Sequence, residues 1–128
     1  MRVAVVVCGA NGERAAIIEK AVEKYSKKYF DRTLQFSACT VAASPIILEM
    51  SGVEAAHTVA VNGCRNKCSE ILMKRAGMGP RVSVVLDDVV GRDLGKCGSC
   101  ASFVFPEVRE DEWNKLAEVM GKAVEDAS

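Results

Sequence analysis

Short apolar runs that alternate with helical patterns constrain the fold of this chain more than any other feature. The first run, 2–7, is almost entirely β-branched, which is typical of a strand buried on both faces of a parallel sheet. Similar runs predict strands over 33–39, 57–62 and 81–86. A shorter run at 103–105, just before a proline, is a candidate for one more strand.

Helical patterns lie between these strands. Apolar residues at helical spacing predict amphipathic helices over 13–29 and 64–76, and Ser44-Pro45 is a typical helix start with Gly52 as a plausible stop. A closing helix is predicted from the apolar positions Trp113, Leu116, Ala117, Met120, Ala123 and Val124. The alternation predicts a single α/β domain over 1–128. We expect three layers, with a parallel sheet of about four strands in the order 2-1-3-4 and helices on both of its faces.

The charge balance narrows the classes of partner. Seventeen basic and seventeen acidic residues cancel, and no basic block or basic amphipathic stripe occurs, which argues against nucleic acid and against a lipid surface. The apolar run at 2–7 is too short for the core of a secretory signal, and no stretch approaches the roughly 18 apolar residues of a membrane span. We therefore expect a cytoplasmic protein.

Six cysteines are the main chemical feature of the chain. In the cytoplasm they indicate metal binding or redox chemistry rather than structural disulfides. If a helix begins at Cys64, Cys68 lies one turn further along the same face. Arg65, Lys67 and the free N–H groups of a first helical turn favour negative charge, so either sulfur is expected as a thiolate, the form that binds metal.

The predicted topology gathers these cysteines. Ligands of parallel sheets bind beyond the carboxyl ends of the strands, and Cys8, Cys39 and Cys64 end or follow three strands that the order 2-1-3 makes adjacent. Neighbouring strands are about 4.8 Å apart, and Zn²⁺ holds sulfur at about 2.3 Å. With Cys68 as the fourth ligand, the sequence predicts one Zn²⁺ site, which is structural, sensory or catalytic; whether the protein is an enzyme stays open.

A second cysteine pair favours a different interpretation of the chemistry. Cys97-Gly-Ser-Cys100 has the C-x-x-C spacing of both zinc sites and thiol oxidoreductases, but it lies in a late glycine-rich stretch rather than after the first strand. Cys97 and Cys100 are therefore candidate accessory ligands, or the dithiol of a redox or iron–sulfur protein.

The first turn of the chain suggests a third function. Cys8 and Arg14 have the C-x5-R spacing of the phosphate loop of low-molecular-weight phosphatases and arsenate reductases, in which a thiolate attacks an anion that backbone N–H groups hold. Glu13 would place a negative charge beside that anion, Ala15 replaces the usual hydroxyl, and no Asp-Pro general acid occurs.

Three further polar residues have simpler interpretations. His57, the only histidine, begins the third predicted strand, so we expect it at the end opposite the cysteines, on the surface or partly buried. Asp87 and Asp88 follow the fourth strand, where such a pair is more often a turn and helix cap than a Mg²⁺ site.

The order of the cysteines resembles the DGC-domain family of zinc-binding proteins, a family without an established reaction. The resemblance extends from Val3 through 93–95 to the acidic closing helix. It implies that Cys8, Cys39, Cys64 and Cys68 are the metal ligands. Asn62 stands where the family has the aspartate of its Asp-Gly-Cys motif, so a negative charge is lost there.

Overall fold

The computed structural model describes residues 2–9, 12–92, 94 and 107–128, and at its centre is one four-stranded parallel sheet. Its strands are β1 (Val3–Val7), β2 (Thr33–Ser37), β3 (Thr58–Asn62) and β4 (Val82–Val85). Their spatial order is β2-β1-β3-β4, and every neighbouring pair is parallel. The predicted α/β class and strand order are confirmed.

Helices connect the strands and cover both faces of the sheet. They are α1 (Gly12–Tyr29), α2 (Ala38–Ala43), α3 (Ile46–Met50), α4 (Cys68–Arg75), α5 (Leu86–Val90) and α6 (Glu110–Asp126). Phe30–Arg32 and Ala55–His57 each form one 3₁₀ turn. Gly52 follows α3 in a turn with φ 77°, a left-handed conformation that favours glycine, as the predicted stop requires. The candidate strand at 103–105 lies outside the described residues.

One face of the sheet is covered by the two long helices, α1 and α6, and we call it the long-helix face. Alternate strand residues such as Val5, Val59 and Val84 point to it, as the period of two in a strand requires. The two helices approach closely at Gly121, where an added Cβ would lie 2.8 Å from Cε2 of Tyr29. The Tyr29 hydroxyl donates to a carboxylate oxygen of Glu125 at 2.8 Å, which fixes the contact.

The opposite face is covered by the short helices α2, α3 and α4, and we call it the cysteine face. Its buried cluster is small: Val6 and Ala60 of the sheet, Ala38 and Val41 of α2, Leu48 of α3 and Met73 of α4. Cys8 packs against the edge of this cluster. Helices on both faces make the domain three-layered, as predicted.

The predicted starts of β1, β3 and β4 are each one residue early. Three predicted boundaries at the carboxyl ends of strands are also wrong. β2 ends at Ser37, whose hydroxyl caps α2 by accepting the Thr40 N–H at 3.1 Å, so Cys39 lies in a helix and does not end the strand. β4 ends at Val85, because α5 already begins at Leu86. In both cases a helix begins at once, without the connecting loop that apolar patterns suggest.

The third correction concerns α4, which begins at Cys68 and not at Cys64. Residues 64–67 form a turn in which the Lys67 N–H donates to the Cys64 carbonyl at 3.1 Å. Lys67 has φ 54°, a left-handed backbone that a continuous helix cannot contain. Cys64 therefore precedes the helix, and the two cysteines do not share a helical face.

None of the described helices is both long and apolar enough to span a lipid bilayer.

Candidate metal centre

Cys8 is positioned by an extension of the sheet beyond β1. Its backbone N–H donates to the Val61 carbonyl of β3 at 2.9 Å, so the β1–β3 ladder continues one residue past the strand. The side chain is half-buried. Cys8 therefore leaves the carboxyl edge of the sheet directly beside the end of β3.

The start of α4 is attached to the same carbonyl. The Ser69 hydroxyl, fully buried, donates to the Val61 oxygen at 3.0 Å. One backbone oxygen thus accepts from the Cys8 segment and from the residue after Cys68. This shared acceptor brings the two cysteines to one place although they are far apart in sequence.

Asn62 fixes α4 a second time. Its side-chain oxygen accepts the Glu70 N–H at 3.1 Å, one of the free donors of the first helical turn, while its amide donates to the Val84 carbonyl at 3.0 Å and the Ser83 hydroxyl at 2.9 Å. An ionised aspartate could replace the acceptor but not the donor that Val84 needs. The hydrogen bonds of this edge therefore give a reason for asparagine at position 62.

The thiols of Cys8, Cys64 and Cys68 are neighbours. Burial raises the pKa of the Cys68 thiol most, the negative charges of the Cys8 and Cys64 sulfurs raise it further, and a hydrogen bond with the Cys8 side chain adds to the effect. Cys64 is itself 6% exposed. Two of the four cysteines that the sequence selects, Cys8 and Cys64, therefore act electrostatically on a third, Cys68.

The expected thiolate at Cys68 is a wrong prediction for the free protein, because the pKa of this thiol is raised and not lowered. The basic residues that were expected to lower it are directed elsewhere. Arg65 forms an exposed ion pair with Asp88 at 3.6 Å, and Lys67 is exposed to solvent. Burial of the Cys68 thiol is the largest influence on its pKa, and the charges of the neighbouring sulfurs add to it.

Cys39 has a different environment. It is exposed on α2, which follows β2 at the same edge of the sheet, and it is not among the charges that act on Cys68. Cys97 and Cys100 lie outside the described residues. The structure therefore brings together Cys8, Cys64 and Cys68 and leaves Cys39 apart from this group.

Within the ranges 2–9, 12–92, 94 and 107–128, no three His, Cys, Asp or Glu side chains are already arranged to hold a metal ion. Cys8, Cys64 and Cys68 do not form such a group either, although the first two act on the third. Their chemistry nevertheless suits Zn²⁺, which binds thiolates readily. Side-chain rotation within the cluster is needed before the sulfurs can share one ion.

Arg14 occupies the position of the phosphate-binding arginine in the phosphatase interpretation, but its contacts are to protein groups. Its guanidinium donates to the Gly63 carbonyl at 2.6 Å and to Asp87, where the bond from Nη2 to Oδ2 is 2.9 Å. These Arg14 bonds hold the pKa of Asp87 below its ordinary value, against the effect of burial. An anion at Cys8 would have to compete with this carboxylate, which weighs against that interpretation.

Glu13 is also paired. Arg92 contacts it and donates two bonds to Glu112, from Nε at 2.8 Å and from Nη2 at 2.9 Å. The bonds from Arg92 lower the pKa of Glu112. The cluster ties the first turn of α1 to the first turn of α6.

Sequence reasoning missed Asp87 as a partner of Arg14. The only signal was that Asp87 follows a strand at the same edge as the cysteines. His57 is half-buried, as predicted, but it ends the 3₁₀ turn just before β3 and does not begin the strand. Its Nδ1–H donates to the Ala127 carbonyl at 2.7 Å.

No family model, curated protein or solved structure that was compared with this chain matches it. Membership of the DGC-domain family therefore stays a prediction from the order of the cysteines.

Proposed function

We propose that this protein binds one Zn²⁺ through the thiolates of Cys8, Cys64 and Cys68, with Cys39 as the candidate fourth ligand. The observation that carries the proposal is that the Cys8 and Cys64 sulfurs both act on the Cys68 thiol, and that the Cys8 side chain shares a hydrogen bond with it. The Val61 carbonyl, which accepts from both the Cys8 and the α4 segments, supports it independently. The order of the four cysteines, which resembles the DGC-domain family, points to the same ligand set.

A divalent cation relieves the repulsion within this cluster. In the free protein, loss of the Cys68 proton is opposed by burial and by the charges of two neighbouring sulfurs. A bound cation reverses the sign of the local field, so the thiols lose their protons as the metal binds. Zinc affinity is therefore expected to rise with pH. A reducing cytoplasm would keep these thiols available for metal.

The fourth ligand decides the chemical class of the site. A fourth sulfur from Cys39 gives a closed, structural or sensory site, whereas a water molecule leaves a position at which a substrate could be polarised. Cys39 is exposed, so it has to turn towards the cluster to take part.

Elemental analysis of anaerobically purified protein tests the proposal. We expect one zinc per chain in the wild type and none in Cys64→Ser, which removes the buried thiol. The Cys39→Ser variant is the matched comparison. Retained zinc with weaker affinity would identify an open site, and complete loss a closed one. Wild-type protein that holds no more zinc than a variant with Cys8, Cys64 and Cys68 all changed to serine would refute the proposal.

The contact between Cys8 and Cys68 also favours the thiol-redox alternative. Two thiols that hydrogen-bond can form a disulfide when an oxidant such as a glutathione disulfide accepts the two electrons. Mass spectrometry after such treatment, together with the visible absorption of anaerobic protein, distinguishes a disulfide or iron–sulfur protein from a colourless zinc protein.

A further inference from the structure

We propose that the buried ion pair of Arg14 and Asp87 positions the cysteines of the metal centre, an inference that rests on the proposed zinc binding. Arg14 belongs to the first turn of α1, just after the segment that carries Cys8. Its partners follow two other strands: Gly63 after β3 and Asp87 after β4. A single guanidinium therefore joins the segments that follow three adjacent strands, β1, β3 and β4.

The bond to Gly63 acts directly on a proposed ligand. The Gly63 carbonyl and the Cys64 N–H belong to one planar peptide unit, so fixing that carbonyl fixes the plane from which Cys64 continues. The bond is short, 2.6 Å, and the donor is charged. Arg14 thus sets the direction of the Cys64 backbone without touching its sulfur.

Asp87 orients the Arg14 guanidinium so that it can donate to the Gly63 carbonyl. It accepts two bonds from Arg14, and its Oδ2 also accepts the Leu94 N–H at 3.4 Å. The two side chains are 4% and 2% exposed. Buried ion pairs seldom stabilise a fold more than well-packed apolar residues do, whereas their directional bonds can specify geometry. The bidentate, planar contact is a form that lysine cannot reproduce.

Charge alone does not explain the arrangement. Because Asp87 neutralises Arg14, the pair as a whole offers little net attraction to the thiolates. If the pair acts by geometry, Arg14→Lys, which keeps the charge and loses the fork, should weaken metal binding. If it acted by charge, the same variant would bind normally.

Titration with Co²⁺ under anaerobic conditions tests the inference, because the visible spectrum of cobalt reports ligand geometry as well as affinity. We expect Arg14→Lys and Asp87→Asn to bind Co²⁺ roughly 10- to 100-fold more weakly than the wild type, as is usual when groups behind metal ligands are changed. Their cobalt spectra should also change, which a simple loss of stability would not produce in the folded fraction. Circular dichroism confirms that each variant is folded.

Arg92→Lys is the matched control. Arg92 also makes a bidentate contact, with Glu112. Among the residues that the structure describes, its partners Glu13 and Glu112 are not beside Cys8, Cys64 or Cys68. This variant should lose stability but keep the wild-type cobalt affinity and spectrum. If Arg14→Lys does not fold, Asp87→Asn serves as the test, because asparagine has the same shape and keeps one acceptor.

The outcomes separate the two proposals. Wild-type affinity and spectrum in both Arg14→Lys and Asp87→Asn would overturn the positioning role and leave zinc binding intact. Wild-type protein that binds Co²⁺ no better than the variant without Cys8, Cys64 and Cys68 would overturn both.

Discussion

The two faces of the sheet are built in different ways. The long-helix face is covered by helices of 18 and 17 residues, and its buried cluster contains Ile17, Tyr25, Leu116 and Met120. The cysteine face is covered by helices of 6, 5 and 8 residues, with Leu48 and Met73 as its largest buried side chains. Apolar burial therefore stabilises mainly one side of the protein.

The two faces therefore depend on different interactions, apolar burial on the long-helix face and directed hydrogen bonds on the cysteine face. Where apolar contacts are few, local structure depends on directed hydrogen bonds such as those of Asn62 and Ser69. Regions with few buried contacts also open more easily than the rest of a domain. The proposed metal site thus lies on the less stable side, where a bound ion can add most to local order.

The largest expected effect is a loss of unfolding free energy, which we compare between two leucines of nearly equal burial. Leu116, in the middle of α6, is 0% exposed and Leu48, in the five-residue α3, is 1% exposed. We expect Leu116→Ala to cost about 4–5 kcal/mol of unfolding free energy and Leu48→Ala about 2–3, because a short helix can shift to fill the space. Urea denaturation measures both. An equal or larger loss in Leu48→Ala would contradict the conclusion that apolar burial stabilises mainly the long-helix face.

An intermediate effect is expected from Asn62→Asp. The new carboxylate would face the Val84 carbonyl without a proton to donate, which costs about 1–3 kcal/mol near neutral pH. The loss should shrink in acid, where a protonated carboxyl can donate again. Ser83→Ala removes only the exposed partner of the same amide, and we expect a change below about 0.5 kcal/mol. Equal losses in the two variants would show that the buried bond to Val84 matters little.

The smallest expected effect is a pH dependence that arises from Cys68. The pKa of its thiol is higher in the folded protein than in the unfolded chain, so the folded state holds this proton more tightly. The resulting stability is complete below about pH 8.5 and is lost as the pH rises through the folded pKa. Metal-free wild type should therefore lose stability in alkali faster than Cys68→Ser.

The pH dependence of stability should change when the same two proteins are measured with zinc. Metal binding requires deprotonated sulfur, so stability in the presence of zinc should rise with pH where the free protein declines. Burial also raises the pKa of Tyr25, on the long-helix face, and the contribution of this group cancels between wild type and Cys68→Ser. Parallel curves for the two proteins would contradict the assignment to Cys68.

The sheet could be predicted from sequence because its signals are local. The β-branched run of β1 and the apolar stripe of α1 are each visible within one segment. The ends of strands were harder to predict. Ser37 caps a helix and the left-handed backbone of Lys67 delays one, and apolar patterns do not encode either feature.

The positions of the cysteines were predicted in part for the same reason. Topology alone was enough to bring Cys8 beside Cys64, because the carboxyl ends of adjacent strands meet. It did not predict that Arg14 would pair with Asp87, 73 residues away, or that burial and the neighbouring sulfurs would raise the pKa of the Cys68 thiol. Such contacts depend on side-chain directions that become fixed only when the segments meet.

The shared acceptor at Val61 has a consequence for the order of events during folding. Cys8 and Ser69 can meet at that oxygen only after β1 and β3 have paired across the intervening helices and β2, and such non-local pairing is intrinsically slow. An ion that needs this junction would bind only after the two strands have paired. If that pairing completes the rate-limiting step, the ion would prolong the lifetime of the native protein and leave the folding rate unchanged.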